Sequence, residues 1–510
     1  MIAVIGNILL VLLSVVLTRL AFPPYNFYLL AFAGMIPFFY VLCRTEKYSW
    51  VWAYGQIFGF FFYLSIYGPG LILSNYAPFP LVLSLGLVLV FFQGLFISAA
   101  VLLGKLLQKN PVFSGFPASI MTILAYAFSW IILDWLRSLG ISGLTLGGLA
   151  YSQYLFTAFI QLARYTGSYG LTFIIVLINV TGGLFLAEFR PAAKRMRYNW
   201  LIFMLFFILL LTLVFYFLKN SLCRPETAEY EHKKVTIYQP NVPQNDKLMA
   251  SKALLKKMYL SDIRAFSQEQ ETDLLVLPET IVGEYLLQNK NFIFALRDAL
   301  DFSLIFGTPR YEERKGLMYI YNSVVLLNRY GVWTVLHDKK YLVPFGEYLP
   351  LRWFFWGLFK HTGYFDTVFT PGAENQPVAN YAVSLCFESF FPYQVREQIR
   401  SGGRLLLIVT NDAWFGNTSL LDIHLSAAVL RAAENSRYVV QSANTGRSAI
   451  IDHRGRILKQ SDIDVKQWLT DTVEMRTDKT LYTYFGEVSI YAGLVFFCLY
   501  GYLFLRNKRS

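Results

Sequence analysis

The hydrophobic pattern divides the chain into two textures. Apolar runs lie near residues 2–20, 27–43, 50–67, 81–103, 118–137, 168–188 and 200–218, and another lies at 488–505. Each is close to the roughly 20 residues that a helix needs to cross a hydrocarbon core of about 30 Å. They predict about eight transmembrane helices. Between these blocks the runs shorten and gain β-branched residues, at Lys234–Tyr238, Leu274–Leu277, Leu304–Phe306, Ser323–Leu327, Ala382–Leu385 and Leu405–Val409, with helical stretches at 251–268 and 424–437. Strands alternating with helices and hairpins predict a layered α/β sandwich. The expected organisation is a seven-span bundle over 1–218, a folded domain over 219–487, and an eighth span with a basic tail over 488–510. The first run has no basic segment before it and no small-residue cleavage site before Phe22-Pro23-Pro24, so it reads as an uncleaved anchor.

Composition agrees with the pattern. The chain is 55% hydrophobic and only 15% charged, where soluble domains carry roughly 25% charged residues. The net charge of +12 raises the question of a nucleic-acid partner, and its distribution answers it. Residues 219–487 hold 31 Lys/Arg against 30 Asp/Glu, so that segment is nearly neutral; the remainder holds 14 Lys/Arg and only Glu46, Asp134 and Glu188. The excess sits in short loops: Arg44/Lys47, Lys105/Lys109, Arg190/Lys194/Arg195/Arg197, and the tail Arg506/Lys508/Arg509. Loop 68–80 carries no charge, and loop 138–167 carries only Arg164. Placing every positive loop in the cytoplasm puts both termini there and the 219–487 domain outside. Asp134 and Arg137, three apart, read as an ion pair at the outer end of a span.

The four cysteines, Cys43, Cys223, Cys386 and Cys498, show neither a CxxC pair nor metal spacing, and the five histidines are scattered. That argues against a disulfide framework or a structural zinc site. Three strand ends stop at reactive residues. Asp273–Glu279 is a buried-type strand closed by proline and a carboxylate. His337–Glu347 carries Lys339 and Lys340 before an apolar turn and a second acid. Tyr381–Glu388 ends at Cys386, with Glu388 two residues on. Read singly, each is more often structural: a small buried thiol, a capping acid, a surface lysine. Together they supply a nucleophile, a base and a cation. A thiol with a reference pKa of about 8.5 needs a base or a neighbouring positive charge to react near neutral pH. Glu279 is placed to take that proton, and a lysine to stabilise an oxyanion.

The order Glu279, Lys339, Cys386 with these flanks resembles the nitrilase, or carbon–nitrogen hydrolase, superfamily. The runs Leu342–Pro350 (LVPFGEYLP), Asn411–Gly416 (NDAWFG) and Ala443–Gly446 (ANTG) resemble its membrane-bound branch, the apolipoprotein N-acyltransferases. So do Leu20–Pro24, Asp134–Arg137 and Tyr151–Gln153, which extend the resemblance over nearly the whole chain. It implies an αββα sandwich on the membrane bundle. It implies Glu279 as general base, Lys339 as catalytic lysine, Cys386 as nucleophile and Lys340 as a bystander. Glu347 would orient Lys339 or the incoming amine; Glu388, Phe387, Asn322, Asn411 and Trp414 would support the site. The chain departs from the family pattern at Phe387, where tyrosine is common, at Leu248, where tryptophan is usual, and at Thr145-Leu146, where a Pro-Trp pair is usual.

The activity so implied is acyl transfer from a membrane phospholipid to the N-terminal amine of a diacylglyceryl-cysteine apolipoprotein. It would run through a thioester on Cys386, without metal or cofactor, in a monomeric multi-pass protein of the bacterial inner membrane. The run Trp353–Phe359 reads as an apolar lid. Two other readings compete. A membrane-tethered amidase would use the same three residues and release product to water. A non-catalytic lipid-binding or transport protein would lack members of the group or bury charges in its spans.

Overall fold

The structure, a computed structural model, describes residues 2–139, 143–188, 229–349, 368–373 and 377–509, with a few isolated positions between them. The chain forms two compact units, one of residues 1–139, 143–227 and 485–510, the other of 140–142 and 228–484.

In the first unit, six of the described helices are long and apolar enough to cross a membrane: Ile2–Leu20, Tyr48–Asn75, Phe79–Lys109, Phe116–Leu136, Ala163–Glu188 and Val488–Lys508. The other two expected spans are not among them. The run at 27–43 is broken into a 3-10 stretch, Tyr28–Phe32, and a nine-residue helix, Ile36–Arg44. Nine residues rise only about 14 Å, too little to span. The break has a local cause: Pro37 starts the short helix, and a Cβ on Gly34 would lie 2.9 Å from the Leu30 carbonyl oxygen and 3.0 Å from the Thr18 nitrogen. The chain is therefore turned tightly against the first helix. The expected span at 200–218 lies outside the described residues, as does Cys223. Asp134 and Arg137 do pair, at 2.6 Å. Arg137, just past the end of helix Phe116–Leu136, is buried and also donates to Gln93 Oε1 at 3.2 Å and the Leu146 carbonyl at 3.0 Å. A buried charge is tolerated when it is paired and hydrogen-bonded in this way.

The second unit is built on strands β1 (Glu231–Gln239), β2 (Leu274–Val276), β3 (Ser303–Arg314), β4 (Leu317–Leu327), β5 (Trp333–Asp338), β6 (Tyr381–Leu385), β7 (Leu405–Thr410), β8 (Val439–Ala443), β9 (Ala449–Ile451), β10 (Ile457–Gln460) and β11 (Gln467–Met475). They form a six-stranded sheet in the order β11-β1-β2-β3-β4-β5 and a five-stranded sheet in the order β10-β9-β8-β7-β6. β1, β2 and β3 run parallel, as do β6, β7 and β8; the remaining pairings, β11–β1, β3–β4, β4–β5, β8–β9 and β9–β10, are antiparallel.

Period-two patterning puts alternate residues of each strand on opposite faces. Val235, Ile237, Leu274, Val276, Val383, Leu385, Leu405 and Leu407 meet between the sheets. Tyr238, Leu275, Leu277, Leu304 and Phe306 face the other way, onto the apolar sides of helices Lys252–Glu269 and Lys290–Arg297. Helices Pro392–Arg400 and Ser419–Asn435 cover the far side of the smaller sheet. Helix Ser419–Asn435 is buried nearly all round, which is why its sequence lacks a polar face. The result is the expected helix–sheet–sheet–helix sandwich.

Candidate active site

The parallel strands deliver their C-terminal ends together, and the candidate residues stand there. Cys386 follows β6, Asn411 follows β7, and Asn444 follows β8. Glu279 lies three residues after β2, and Lys339 directly follows β5. The turn bearing Glu279 is pinned to β3: Gly307 donates to the Pro278 carbonyl at 3.1 Å, and Ile281 donates to the Gly307 carbonyl at 3.1 Å. A side chain at Gly307 would place its Cβ 2.6 Å from Glu279 Cα, so only glycine lets the turn lie this close.

Glu279 is 6% exposed, and both of its carboxylate oxygens are engaged. Oε1 accepts from Asn322 Nδ2 at 2.8 Å and Lys339 Nζ at 3.3 Å; Oε2 accepts from the Asn411 main-chain nitrogen at 2.9 Å. Lys339 Nζ also donates to Glu347 Oε1 at 2.9 Å. Asn322 Nδ2 reaches that same Glu347 oxygen at 3.0 Å, and the Val343 nitrogen caps Glu347 Oε2 at 2.9 Å. Burial alone would drain the charge from Lys339. Glu279 and Glu347 outweigh burial and hold its ammonium well above the ordinary lysine value. A buried lysine between two carboxylates is a fixed cation.

Cys386 is partly buried, and it sits at φ +50°. That left-handed geometry costs a non-glycine residue roughly 1–2 kcal/mol and persists where the surroundings enforce it. Burial pushes the Cys386 thiol up, Glu279 and Asp412 add to that, and Lys339 and the Thr410 hydroxyl pull it down. The balance lies above the ordinary thiol value, so the resting group is a neutral thiol that needs a proton acceptor. Glu279 and Lys339 both act on it electrostatically.

Glu388 is fully buried and works as a brace. Its Oε2 meets His337 Nε2 at 2.6 Å and accepts from the Leu385 nitrogen at 2.9 Å; its Oε1 accepts from the nitrogens of Lys340 at 2.7 Å and Tyr341 at 3.1 Å. It thus ties the segment holding Lys339 to the turn holding Cys386. Burial pushes its carboxyl up, but the charge and hydrogen bond of His337 and the Leu385 N–H win, and it is held below the usual value. Asn411 orients through Gln244 Oε1, 3.0 Å from its Nδ2, and through Asn444 Nδ2, 3.1 Å from its Oδ1. Phe387 packs edge-on against Phe391 at 5.2 Å between centroids. Trp414 lies half-buried in the 3-10 turn Asp412–Phe415. Trp353 is 82% exposed; most of the proposed lid lies outside the described residues.

Sequence reasoning passed over Lys247, on the short helix Gln244–Met249. Its Nζ donates to the main-chain carbonyl of Glu279 at 3.0 Å, which places a second lysine at the Glu279 turn. Burial lowers its pKa to about 7 against the opposing pull of Glu279. The only sequence cue was its place beside Gln244. Among the described residues, no cluster of three His, Cys, Asp or Glu side chains is arranged to hold a metal ion.

A thiol, a carboxylate and a lysine at the strand ends of an αββα sandwich point to a thiol hydrolase or acyltransferase class. Residues 234–477 match the family model described as carbon-nitrogen hydrolase, and residues 14–181 match that of the apolipoprotein N-acyltransferase N-terminal domain. The chain is 29% identical to an apolipoprotein N-acyltransferase of Geobacter metallireducens, over 95% of this chain and 92% of that one. It is 29% identical to that of Thermotoga maritima, over 74% of this chain and 70% of that one. Among solved structures, Saccharomyces cerevisiae Nit3, a member of the nitrilase superfamily, covers 48% of this chain and 90% of its own at 18% identity and a TM-score of 0.36. An amidase from Nesterenkonia sp. AN1 covers 52% of this chain and 100% of its own at 17% identity and a TM-score of 0.37. The chain belongs to the apolipoprotein N-acyltransferase family, the membrane-bound branch of the carbon–nitrogen hydrolases. It is a multi-pass membrane acyltransferase.

Proposed function

We propose that this enzyme moves an acyl chain from a membrane phospholipid to the N-terminal amine of diacylglyceryl-cysteine lipoproteins in two steps through Cys386. In the first, Glu279 takes the thiol proton as sulfur attacks the ester carbonyl. The Lys339 ammonium stabilises the oxyanion. The carbon–oxygen ester bond then breaks, the lysophospholipid leaves as an alcohol carrying the proton returned by Glu279, and a thioester remains. In the second step the lipoprotein amine attacks the thioester and Glu279 receives its proton. The carbon–sulfur bond breaks, the amide forms, and the thiolate recovers the proton.

One observation carries this reading: the Glu279 carboxylate is held by Asn322, Lys339 and the Asn411 N–H while its charge acts on the Cys386 thiol. That is a base, a cation and a nucleophile in one place. The relatives' names support a lipoprotein acceptor, and the apolar body of the chain suits a lipid donor. Apolar spans and bacterial relatives support an inner-membrane location, and the distribution of positive loops supports an extracytoplasmic site. The reading takes the enzyme to act as a monomer, with residues 1–218 and 488–510 as membrane segments around the catalytic domain 219–487.

Mass spectrometry after incubation with phospholipid alone tests the first step. An added acyl mass on the Cys386 peptide, absent in Cys386→Ser and discharged by a lipopeptide amine, is the expected result. An adduct elsewhere, or discharge to water with the amine left unacylated, would overturn the reading, the latter in favour of an amidase.

A further inference from the structure

We propose that His424 is an imidazolium, paired with Asp412, and that it positions the nucleophile by gripping the Cys386 peptide from behind. The inference rests on Cys386 being the reacting thiol.

The argument is one of donors and acceptors. His424, on helix Ser419–Asn435, is 4% exposed. Its Nδ1 lies 3.0 Å from Asp412 Oδ1; its Nε2 lies 3.1 Å from the Cys386 carbonyl oxygen and 3.0 Å from Ser389 Oγ. A carbonyl oxygen only accepts, so Nε2 donates. Asp412 Oδ1 already accepts from the Thr410 hydroxyl at 2.7 Å, and an ionised carboxylate also only accepts, so Nδ1 donates as well. A neutral imidazole owns a single N–H. It would leave a lone pair facing either Asp412 or Cys386 in a site nearly closed to water, where an unmade hydrogen bond is costly. Only the doubly protonated ring bonds both Asp412 and the Cys386 carbonyl; a neutral ring with Nδ1–H would instead accept from the Ser389 hydroxyl at Nε2 and release the Cys386 carbonyl.

The groups facing this ring fit that charge. Asp412 comes from the turn after β7, and Glu279 acts from the turn after β2. Arg431, two turns along the same helix, is turned to the Ser389 carbonyl at 3.3 Å and paired with Glu434 at 2.7 Å. Phe390 lies over the imidazole at 5.5 Å between centroids. Burial disfavours the charged ring, and Asp412 and the Cys386 carbonyl overcome it, so His424 is raised above the ordinary histidine value.

Two consequences reach the thiol. Cys386 holds a left-handed conformation with its carbonyl fixed by His424, while the preceding Leu385 N–H is fixed by Glu388. Asp412 pushes the thiol toward its neutral form; a cation paired to Asp412 offsets that push. His424 therefore sets both the aim of the sulfur and how easily it ionises.

The test uses the full-length enzyme and needs no turnover. Nitrogen chemical shifts of labelled histidine, with five histidines in the chain, are expected to show a ring that stays protonated at both nitrogens above the ordinary histidine range and is missing in His424→Gln. Alkylation of Cys386 by iodoacetamide, read on its peptide, is expected to slow about tenfold at neutral pH in H424Q and to recover at high pH. Tenfold corresponds to one pH unit in the ionisation midpoint. Should H424Q not fold, Asp412→Asn serves: its His424 is expected to titrate in the ordinary range. A neutral His424 in the wild-type enzyme, or slowing by the same factor at every pH, overturns the proposal. A Cys386→Ser enzyme that still transfers acyl chains would instead sink the nucleophile assignment and leave the histidine result standing.

Discussion

Glu279 and Glu347 are held by the same two donors. Asn322 Nδ2 lies 2.8 Å from Glu279 Oε1 and 3.0 Å from Glu347 Oε1, and Lys339 Nζ lies 3.3 Å and 2.9 Å from the same oxygens. A buried carboxylate and a partly buried one this close repel unless a cation stands between them, and each fixes the position of the other through that cation. Glu347→Gln is expected to lower kcat at least a hundredfold, within the range of 10²–10⁴ typical for general acid–base groups. Cys386 is expected to remain present and alkylatable. Steady-state acyl transfer to a lipopeptide measures it; wild-type kcat in E347Q would show that Glu347 is dispensable.

Glu388 predicts the acid limit of stability. Its carboxyl is held below the ordinary 4.5 in the folded state. A depressed acid contributes stability above its unfolded value, and the contribution is lost as pH falls through the folded one. Thermal unfolding midpoints are therefore expected to drop as pH falls below about 4.5, and the drop is expected to be shallower in Glu388→Gln. At pH 7 that variant leaves buried donors unmatched and is expected to lose about 3–5 kcal/mol.

Lys247 predicts a chemical signature. With a pKa of about 7 it is largely a free amine at pH 8, when ordinary lysines are charged. Reductive methylation under limiting reagent is expected to mark Lys247 ahead of exposed lysines, read by peptide mass spectrometry. Equal labelling of all lysines would contradict its depressed pKa.

Gly307→Ala is expected to abolish most activity, because the new Cβ would sit 2.6 Å from Glu279 Cα and displace the turn of the base. A shift of about 1 Å at a reacting group costs on the order of a hundredfold. Activity within twofold of wild type would show that β3 gives way instead.

The sequence made some of this legible and concealed the rest for physical reasons. Lys234–Tyr238, Ala382–Leu385 and Leu405–Val409 stood out because parallel strands covered on both faces are apolar on both. β8 did not, because Val439-Val-Gln-Ser-Ala443 carries the polar Gln441 and Ser442, which are satisfied by the nearby Arg447 carbonyl at 2.8 Å and by the Val276 carbonyl of the other sheet at 3.2 Å. β10 was hidden by exposure, its last three residues facing solvent. The run at 27–43 had the length of a span, but Gly34 and Pro37 carried the break that hydropathy averages away. Glu279, Lys339 and Cys386 were recognisable through the family order of their motifs. His424 and Lys247 were not, since a histidine within an apolar helix and a lysine in a polar stretch declare nothing until the fold supplies their neighbours.

The three reactive groups come from different halves of the sandwich: Glu279 and Lys339 hang from the six-stranded sheet, Cys386 from the five-stranded one. Nascent chains in which only one sheet has formed hold either a thiol without a base or a base without a thiol. The candidate group is therefore complete only once both sheets have formed and packed together.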